Sequence, residues 1–174
     1  MPPGVPKSER LRKQKRERIG DWEGDTIRPV AGSQTGLLTL VERKTRLVRM
    51  ALLTDRSAAT LNATTARLLN GLPVHTLTGD NGMEFASHKE LGALIGAPVY
   101  FAHEHSPWEC GANEQTNKLI RYFMPKGTDM AGCSTADASL VETLLNERPR
   151  KCLAYLSPEQ SMLKASLHLK WQFA

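Results

Sequence analysis

The chain has 174 residues, of which 40% are apolar and 24% charged, and its formal net charge is +5. This length suits one domain with a sizeable core, and the composition is that of an ordinary soluble protein. No apolar run approaches the length that crosses a bilayer and no signal peptide opens the chain, so we expect no membrane partner. Three cysteines without a paired motif favour reduced thiols in a cytoplasm.

The excess positive charge is confined to the first 20 residues. They contain two acids and seven basic residues, which are Lys7, Arg10, Arg12, Lys13, Lys15, Arg16 and Arg18, and they leave 16 basic and 16 acidic residues elsewhere. Such an arm, with Lys13, Lys15 and Arg16 among its basic residues, can bind phosphates independently of sequence. The alternative is a solvated, poorly ordered leader. We therefore divide the chain into a basic, disordered arm at 1–19 and a folded core at 20–174.

Three predicted strands follow the arm. The first covers Trp22 to Arg28 and is stopped by Pro29. Gly36 to Glu42 and Arg46 to Leu53 are apolar runs on either side of a charged turn, so they predict a hairpin.

Helices and strands then alternate. Ser57 to Leu72 is predicted to be a helix because its leucines recur on one face. Val74 to Thr78 is the fourth strand. A capping box at Ser87–Glu90 opens a short helix that ends at Gly96, and Pro98 to Ala102 is the fifth strand.

Three helices complete the chain. The first two are predicted at Ala112–Phe123 and Ser134–Asn146, and the third opens at Ser157 with Pro158 in its first turn. The element order predicts an α/β fold with a mixed five-stranded sheet flanked by helices. A ribonuclease H-like core has this order.

Carboxylates fall where this topology brings elements together. Asp21, Glu23 and Asp25 alternate along the first strand and therefore share one face. Asp80 ends the fourth strand, which lies beside the first, and Glu114 lies in the first turn of the helix after strand five. A mid-strand acid, a strand-end acid and a helical acid are therefore expected to converge.

Converging carboxylates are the groups that Mg²⁺ chemistry needs. Mg²⁺ prefers oxygen ligands, and two such ions about 3.5–4 Å apart can assist an in-line phosphoryl displacement. Acids are also favoured at strand ends and helix N-termini without any function. The three acids together, in this element order, favour the metal site.

A second metal site is not favoured by the residues before that helix. His103, His105 and Cys110 have a loosely zinc-like spacing, but a zinc site usually has four ligands and a fourth is missing. We expect His105 to shape the active-site loop or to contact DNA.

Five stretches resemble the catalytic domain of the IS30 family of bacterial insertion-sequence transposases, within the wider DDE transposase and integrase group. They are GDWEGDTI, LLTLVERKTRLV, TGDNGMEF, HSPWECGANEQTNKLIRYFMPKGTDM and LNERPRKCLAYLSPEQ. They run in family order from residue 20 to residue 160, and the last two are long and specific.

The resemblance implies roles for particular residues. The three catalytic and metal-binding acids match Asp25, Asp80 and Glu114, with 33 residues (81–113) between the last two. It also implies a ribonuclease H-like fold, two Mg²⁺ or Mn²⁺ ions, and DNA strand cleavage followed by strand transfer. The expected partners are transposon ends, target DNA and further copies of the chain, in a bacterial cytoplasm at the nucleoid. No small-molecule substrate is expected.

Neighbouring residues receive supporting roles in this reading. On the Glu114 helix, Asn117, Lys118 and Arg121 lie on the same face and are expected to contact DNA phosphates. Glu23, Asn81 and Glu84 are expected to support the three acids rather than to replace them.

The sequence also departs from the family pattern. Asp21 adds a negative charge beside Asp25, and Cys110 stands where relatives usually have a polar residue. Only about 20 residues precede the first strand, so we expect the helix-turn-helix region that reads transposon ends to be absent. Two other hypotheses remain open at this point: a non-catalytic remnant that binds DNA or a full-length transposase, and a stand-alone nuclease.

Overall fold

The computed structural model of the protein describes residues 18–28, 32–55, 57–79, 87–102 and 111–172, with side chains up to residue 167. Within these ranges it contains one mixed sheet and five α-helices. None of the helices in these ranges is both long enough and apolar enough to span a membrane.

The sheet has five strands in the order β3-β2-β1-β4-β5. Their bounds are β1 Asp21–Ile27, β2 Gly36–Glu42, β3 Val48–Leu53, β4 Thr76–Gly79 and β5 Val99–Phe101. β1, β2 and β3 are antiparallel neighbours, whereas β4 runs parallel to β1 and β5 parallel to β4. The predicted mixed five-stranded sheet is therefore confirmed, with β1 at its centre.

Five helices flank the sheet. They are α1 Ala58–Leu69, α2 His88–Ile95, α3 Gly111–Phe123, α4 Thr135–Glu147 and α5 Pro158–Gln172. Two short 3₁₀ segments lie at Met130–Gly132 and Lys151–Leu153.

The alternation of side chains along the strands creates a core on each face of the sheet. Trp22 and Leu40 point to the face covered by α1 and α2, where they pack with Leu61 and Leu91. The opposite face is covered by α3 and α4, and its core contains Ile27, Leu37, Met50, Ile120, Val141 and Leu145. Ile27 shares this second face with the odd-numbered acids of β1.

Trp22 also anchors the start of β1. Its side chain is fully buried, and its indole Nε1 donates to the carbonyl of Pro73 at 2.9 Å. Gly20, just before the strand, has φ +100°, and its carbonyl accepts the amides of His75 and Thr76. A Cβ at Gly20 would lie 3.1 Å from the Pro73 oxygen, so this close approach requires glycine.

Most element bounds differ from the predicted ones by one or two residues, and two differences have a clear cause. β3 begins at Val48 rather than Arg46, because Arg46 has φ +64° and cannot extend a strand. The capping box predicted at Ser87 was wrong: Ser87 has ψ 38° instead of an extended backbone, and its side chain makes no cap hydrogen bond. A capping box does form at Ser134 and Asp137 of α4.

Candidate active site

The candidate site lies where β1 meets α3. The side chains of Glu23 and Asp25 both point to this helix, as their alternation predicts. Glu23 is 1% exposed and Asp25 is half-buried. The two carboxylates therefore share one face of the strand in different environments.

Asp25 is oriented by a polar network from α3 and β2. Its Oδ2 accepts a hydrogen bond from Asn117 Nδ2 at 2.6 Å, and its Oδ1 accepts one from the amide of Thr26 at 2.7 Å. The hydroxyl of Thr39 lies 3.3 Å from Asn117 Oδ1 and 3.0 Å from Asn113 Oδ1. Asn117 thus stands between a β2 hydroxyl and the Asp25 carboxylate, which fixes the direction of that carboxylate.

Glu23 holds the start of α3 in place. Its Oε2 accepts the backbone amides of Ala112 and Asn113 at 2.8 and 2.9 Å, and its Oε1 lies 2.9 Å from Arg43 Nε. Burial raises the pKa of Glu23, although Arg43 and the two amides oppose the shift. Oε2 is therefore hydrogen-bonded and Oε1 is ion-paired without hydrogen-bond geometry, so the contacts of Glu23 differ from those of Asp25.

The negative charge of Asp21, the first residue of β1, is neutralised by Arg18, which precedes the strand. Its carboxylate accepts two hydrogen bonds from the Arg18 guanidinium, at 2.8 and 2.9 Å, and one from the Thr76 hydroxyl at 2.8 Å. Burial acts to raise the pKa of Asp21, but these hydrogen bonds outweigh it and the pKa is lowered. The extra negative charge noted in the sequence is thus compensated by Arg18 rather than left beside Asp25.

Glu114 lies in the first turn of α3, as predicted. Its side chain is 54% exposed and forms an ion pair with Lys118 at 2.9 Å. One helical turn later, Asn117 contacts Asp25. Arg121, the third residue expected to contact DNA, donates to the carbonyl of Pro125 at 3.3 Å. Glu114 therefore lies one helical turn before the residue that contacts Asp25.

The sheet register pairs the residue before Asp25 with the residue before Asp80. Gly79, the last residue of β4, pairs with Gly24, the residue before Asp25. Asp80 directly follows Gly79 and, like Asn81, Glu84 and His105, lies outside the described residues. Other residues of the sequence predictions that lie outside the described residues are His103, Cys110 and the arm residues Lys13, Lys15 and Arg16. Among the residues that are described, no group of three His, Cys, Asp or Glu side chains could hold a metal.

Sequence reasoning missed two contacts of this site. Arg43 lies in the predicted charged turn, but its contact with Glu23 was not predicted. Asn117 was expected at DNA, yet its amide nitrogen points to Asp25. The three-residue spacing of Glu114 and Asn117 shows that they share a helix face, but no local signal indicates which strand that face meets.

Curated relatives are found over most of the chain. The transposase for insertion sequence element IS1086 of Cupriavidus metallidurans is 43% identical over 144 residues, which cover 81% of this chain and 42% of the relative. The transposase InsI for insertion sequence element IS30A of Escherichia coli K12 is 37% identical over 161 residues, covering 90% and 42%. The chain thus spans less than half the length of these relatives. No protein-family model matches it.

A solved structure shares the fold. The catalytic core domain of BIV integrase superposes with a TM-score of 0.67 over 87% of this chain and 97% of that domain, at 21% identity. At this identity the likeness concerns the fold, and it agrees with the observed strand order. Over most of its length the chain is homologous to IS30-family insertion-sequence transposases, and its fold is the ribonuclease H-like fold of an integrase catalytic core.

Proposed function

We propose that the chain is the catalytic domain of a DNA transposase, a polynucleotidyl transferase that cleaves a DNA strand and joins the freed end to target DNA. The observation that carries this proposal is the pairing of Gly24 with Gly79, the residues that directly precede Asp25 and Asp80 in the sequence. The transposase relatives at 37–43% identity support the same reaction class.

The residues fit a divalent-metal site formed by Asp25, Asp80 and Glu114. All three offer carboxylate oxygens, the donors that Mg²⁺ and Mn²⁺ prefer. When bound, two such ions would activate the attacking oxygen and stabilise the leaving oxygen of an in-line displacement.

The chain's own residues would orient this site. Asn117 fixes the Asp25 carboxylate, and Glu23 fixes the helix that carries Asn117 and Glu114. Lys118 is 69% exposed and pairs with Glu114, so engagement of Glu114 at the site would release Lys118 to a DNA phosphate. In this proposal the attacking groups are water in the cleavage step and the freed 3′-hydroxyl in the joining step.

The expected partners belong to the same proposal. DNA would contact Lys118, Arg121, His105 and the basic arm, while Asn81 and Glu84 would support Asp80. Holding two transposon ends requires more than one active site, so we propose a homo-oligomer. The place of action would be the nucleoid in a bacterial cytoplasm.

Strand transfer on a pre-cut DNA end with Mg²⁺ or Mn²⁺ tests the proposal. We expect metal-dependent joining by the parent chain and at least about a thousandfold loss in Asp80→Asn, which removes the charge but keeps the shape. The control Glu159→Gln removes an exposed acid from the first turn of α5 and should leave joining unchanged.

Two outcomes would contradict the proposal. If the parent chain binds DNA but joins nothing under any metal, the non-catalytic remnant is the better reading. If it cleaves DNA without joining, the chain is a nuclease.

A further inference from the structure

A cluster of cations lies at the end of the sheet opposite to Asp25. Asp25 pairs with Thr39 of β2, whereas Trp22 pairs with Glu42, the last residue before the β2–β3 turn. This turn is therefore about three residues, or roughly 10 Å, from Asp25 along β1. The turn contributes Arg46, and the segment after α4 contributes Arg148, Arg150 and Lys151. We refer to these four residues as the basic turn surface.

A buried asparagine joins the two segments. Asn146 accepts the amide of Val48 and donates to the carbonyl of Val48, both at 2.8 Å. Val48 is two residues after Arg46, and Asn146 is two residues before Arg148. The clamp therefore fixes the cations of the turn beside those that follow α4.

The side chain of Arg150 is hydrogen-bonded to the end of α4. Its Nη2 donates to the Leu145 carbonyl at 3.1 Å, and its Nε is buried without a hydrogen-bond partner among the described residues. Burial lowers the pKa of Arg150, and the neighbouring charges of Arg148 and Arg46 act in the same direction, whereas Cys152 opposes the shift. The cations thus lie close enough to repel one another.

The charge of Glu23 acts on Arg46, but within the described ranges no carboxylate forms an ion pair with any of the four cations. The ion pairs found there involve other cations, and none reaches Arg46, Arg148, Arg150 or Lys151. Folding therefore concentrates positive charge here without an ion-paired carboxylate. A bound anion would lower the electrostatic free energy of this surface.

The backbone of the same surface is strained. The non-glycine residues with positive φ in the described part are Arg46 at 64°, Ala154 at 52° and Tyr155 at 64°. Residues 150–156 form a tight loop in which Tyr155 N donates to the Arg150 carbonyl and Arg150 N to the Leu156 carbonyl, both at 3.0 Å. Tyr155 is 70% exposed at the tip. Strain of this kind persists where the surrounding structure fixes it and clusters at functional sites.

We propose that the basic turn surface binds the phosphate backbone of duplex DNA, separately from the metal site. Arg46, Arg148 and Lys151 would contact the phosphates, and Arg150 would hold the loop that presents them. Such contacts position DNA without reading its sequence. The surface requires neither metal nor the three acids, so this inference extends beyond the proposed reaction.

Metal-free binding of a random-sequence duplex, followed across salt concentrations, tests the surface. In Arg148→Gln with Lys151→Gln we expect the slope of log affinity against log salt to fall by about two, since each phosphate contact contributes about one. The matched control is Arg67→Gln with Lys164→Gln, which removes the same charge from exposed positions on α1 and α5. Its slope should stay unchanged.

A second variant and a stability measurement separate binding from folding. Arg46→Asn keeps a residue that tolerates positive φ and should lower the slope by about one. Without DNA at low salt, the paired Arg148 and Lys151 variant should melt at the same or a higher temperature than the parent, because repulsion is removed. An unchanged slope, an equal loss in the control, or a lower melting temperature would overturn the proposal. Because no metal is present, these outcomes do not depend on strand transfer.

Discussion

Two carboxylates two residues apart on β1 have different tasks. Glu23 is buried, pairs with Arg43 and accepts two amides of α3, whereas Asp25 is half-buried and oriented by Asn117. The sequence alternation places both on one face, but only the tertiary contacts distinguish them. Glu23 therefore serves the fold, which leaves Asp25 as the better candidate for the metal.

Glu23→Gln should destabilise the protein by about 3 kcal/mol, because it leaves the buried Arg43 guanidinium without its counter-charge. Asp25→Asn should change stability by less than about 1 kcal/mol, since Asp25 is partly solvated and the amide can still accept one hydrogen bond. Urea unfolding of both variants checks this difference. Equal losses of stability in the two would contradict the division of roles.

Asn117→Ala should raise the Mg²⁺ concentration for half-maximal strand transfer by about 10–100-fold, because the carboxylate of Asp25 loses its orienting partner. Gln115→Ala, an exposed neighbour on α3, is the control. If Asn117→Ala instead weakens metal-free DNA binding and leaves the Mg²⁺ requirement unchanged, Asn117 contacts DNA as the sequence alone suggested.

At the scale of elements, local sequence patterns predicted which helices and strands exist. They predicted less well how these helices and strands contact one another. The bounds of β2 were predicted exactly as observed from its apolar run, and α4 from its Ser134 start within one residue. The β3 start was missed because a positive φ at Arg46 leaves no periodic signal. The convergence of α3 with β1 was expected, but its individual side-chain contacts were missed, since they join residues about 90 positions apart, as in Asn117 and Asp25.

The contact of α4 with the edge strand β3 makes stability depend on pH. Glu142 accepts the amide of Met50 at 2.6 Å and pairs with Arg49 at 2.7 Å. Burial raises the pKa of Glu142 above its ordinary value of 4.5, although the amide and Arg49 oppose the shift. As the pH rises, Glu142 therefore loses its proton at a lower pH in the unfolded chain than in the folded protein.

The contribution of Glu142 to stability should fall as the pH rises from 4.5 through its raised folded pKa. Glu142→Gln carries no such proton, so its unfolding free energy relative to the parent should increase across that window. The opposing contribution of Asp21 and the parallel one of Glu23 are present in both proteins and cancel. Urea unfolding from pH 4.5 to neutrality measures the difference, and a constant difference would contradict the raised pKa.

In the whole folded molecule, positive charge is concentrated at a place that the distribution of charge along the sequence does not show. The net charge of +5 arises from the first 20 residues, because basic and acidic residues balance elsewhere. Folding nevertheless pairs acids with some cations and leaves the basic turn surface without carboxylate partners among the described residues. Such a local concentration is invisible to residue counts, since it depends on which segments the sheet and α4 bring together.

The family motif in the sequence identifies more residues of the candidate metal site than the described geometry does alone. Strand order and the pairing of Gly24 with Gly79 bring together the residues that precede Asp25 and Asp80 in the sequence. The assignment of Asp80 and Glu114 as catalytic rests on the family motif, because the described contacts of Glu114 are with Lys118. The metal itself is therefore the most informative quantity to observe.

Anomalous X-ray scattering from Mn²⁺, in crystals of the chain with a pre-cut DNA end, locates the metal directly. We predict manganese bound between the carboxylates of Asp25 and Asp80, with a second ion about 3.5–4 Å away on the side of Glu114. Both peaks should disappear in Asp80→Asn crystals grown in the same way. Manganese bound elsewhere, or no manganese beside a well-ordered DNA end, would contradict the assignment of these acids as the catalytic site.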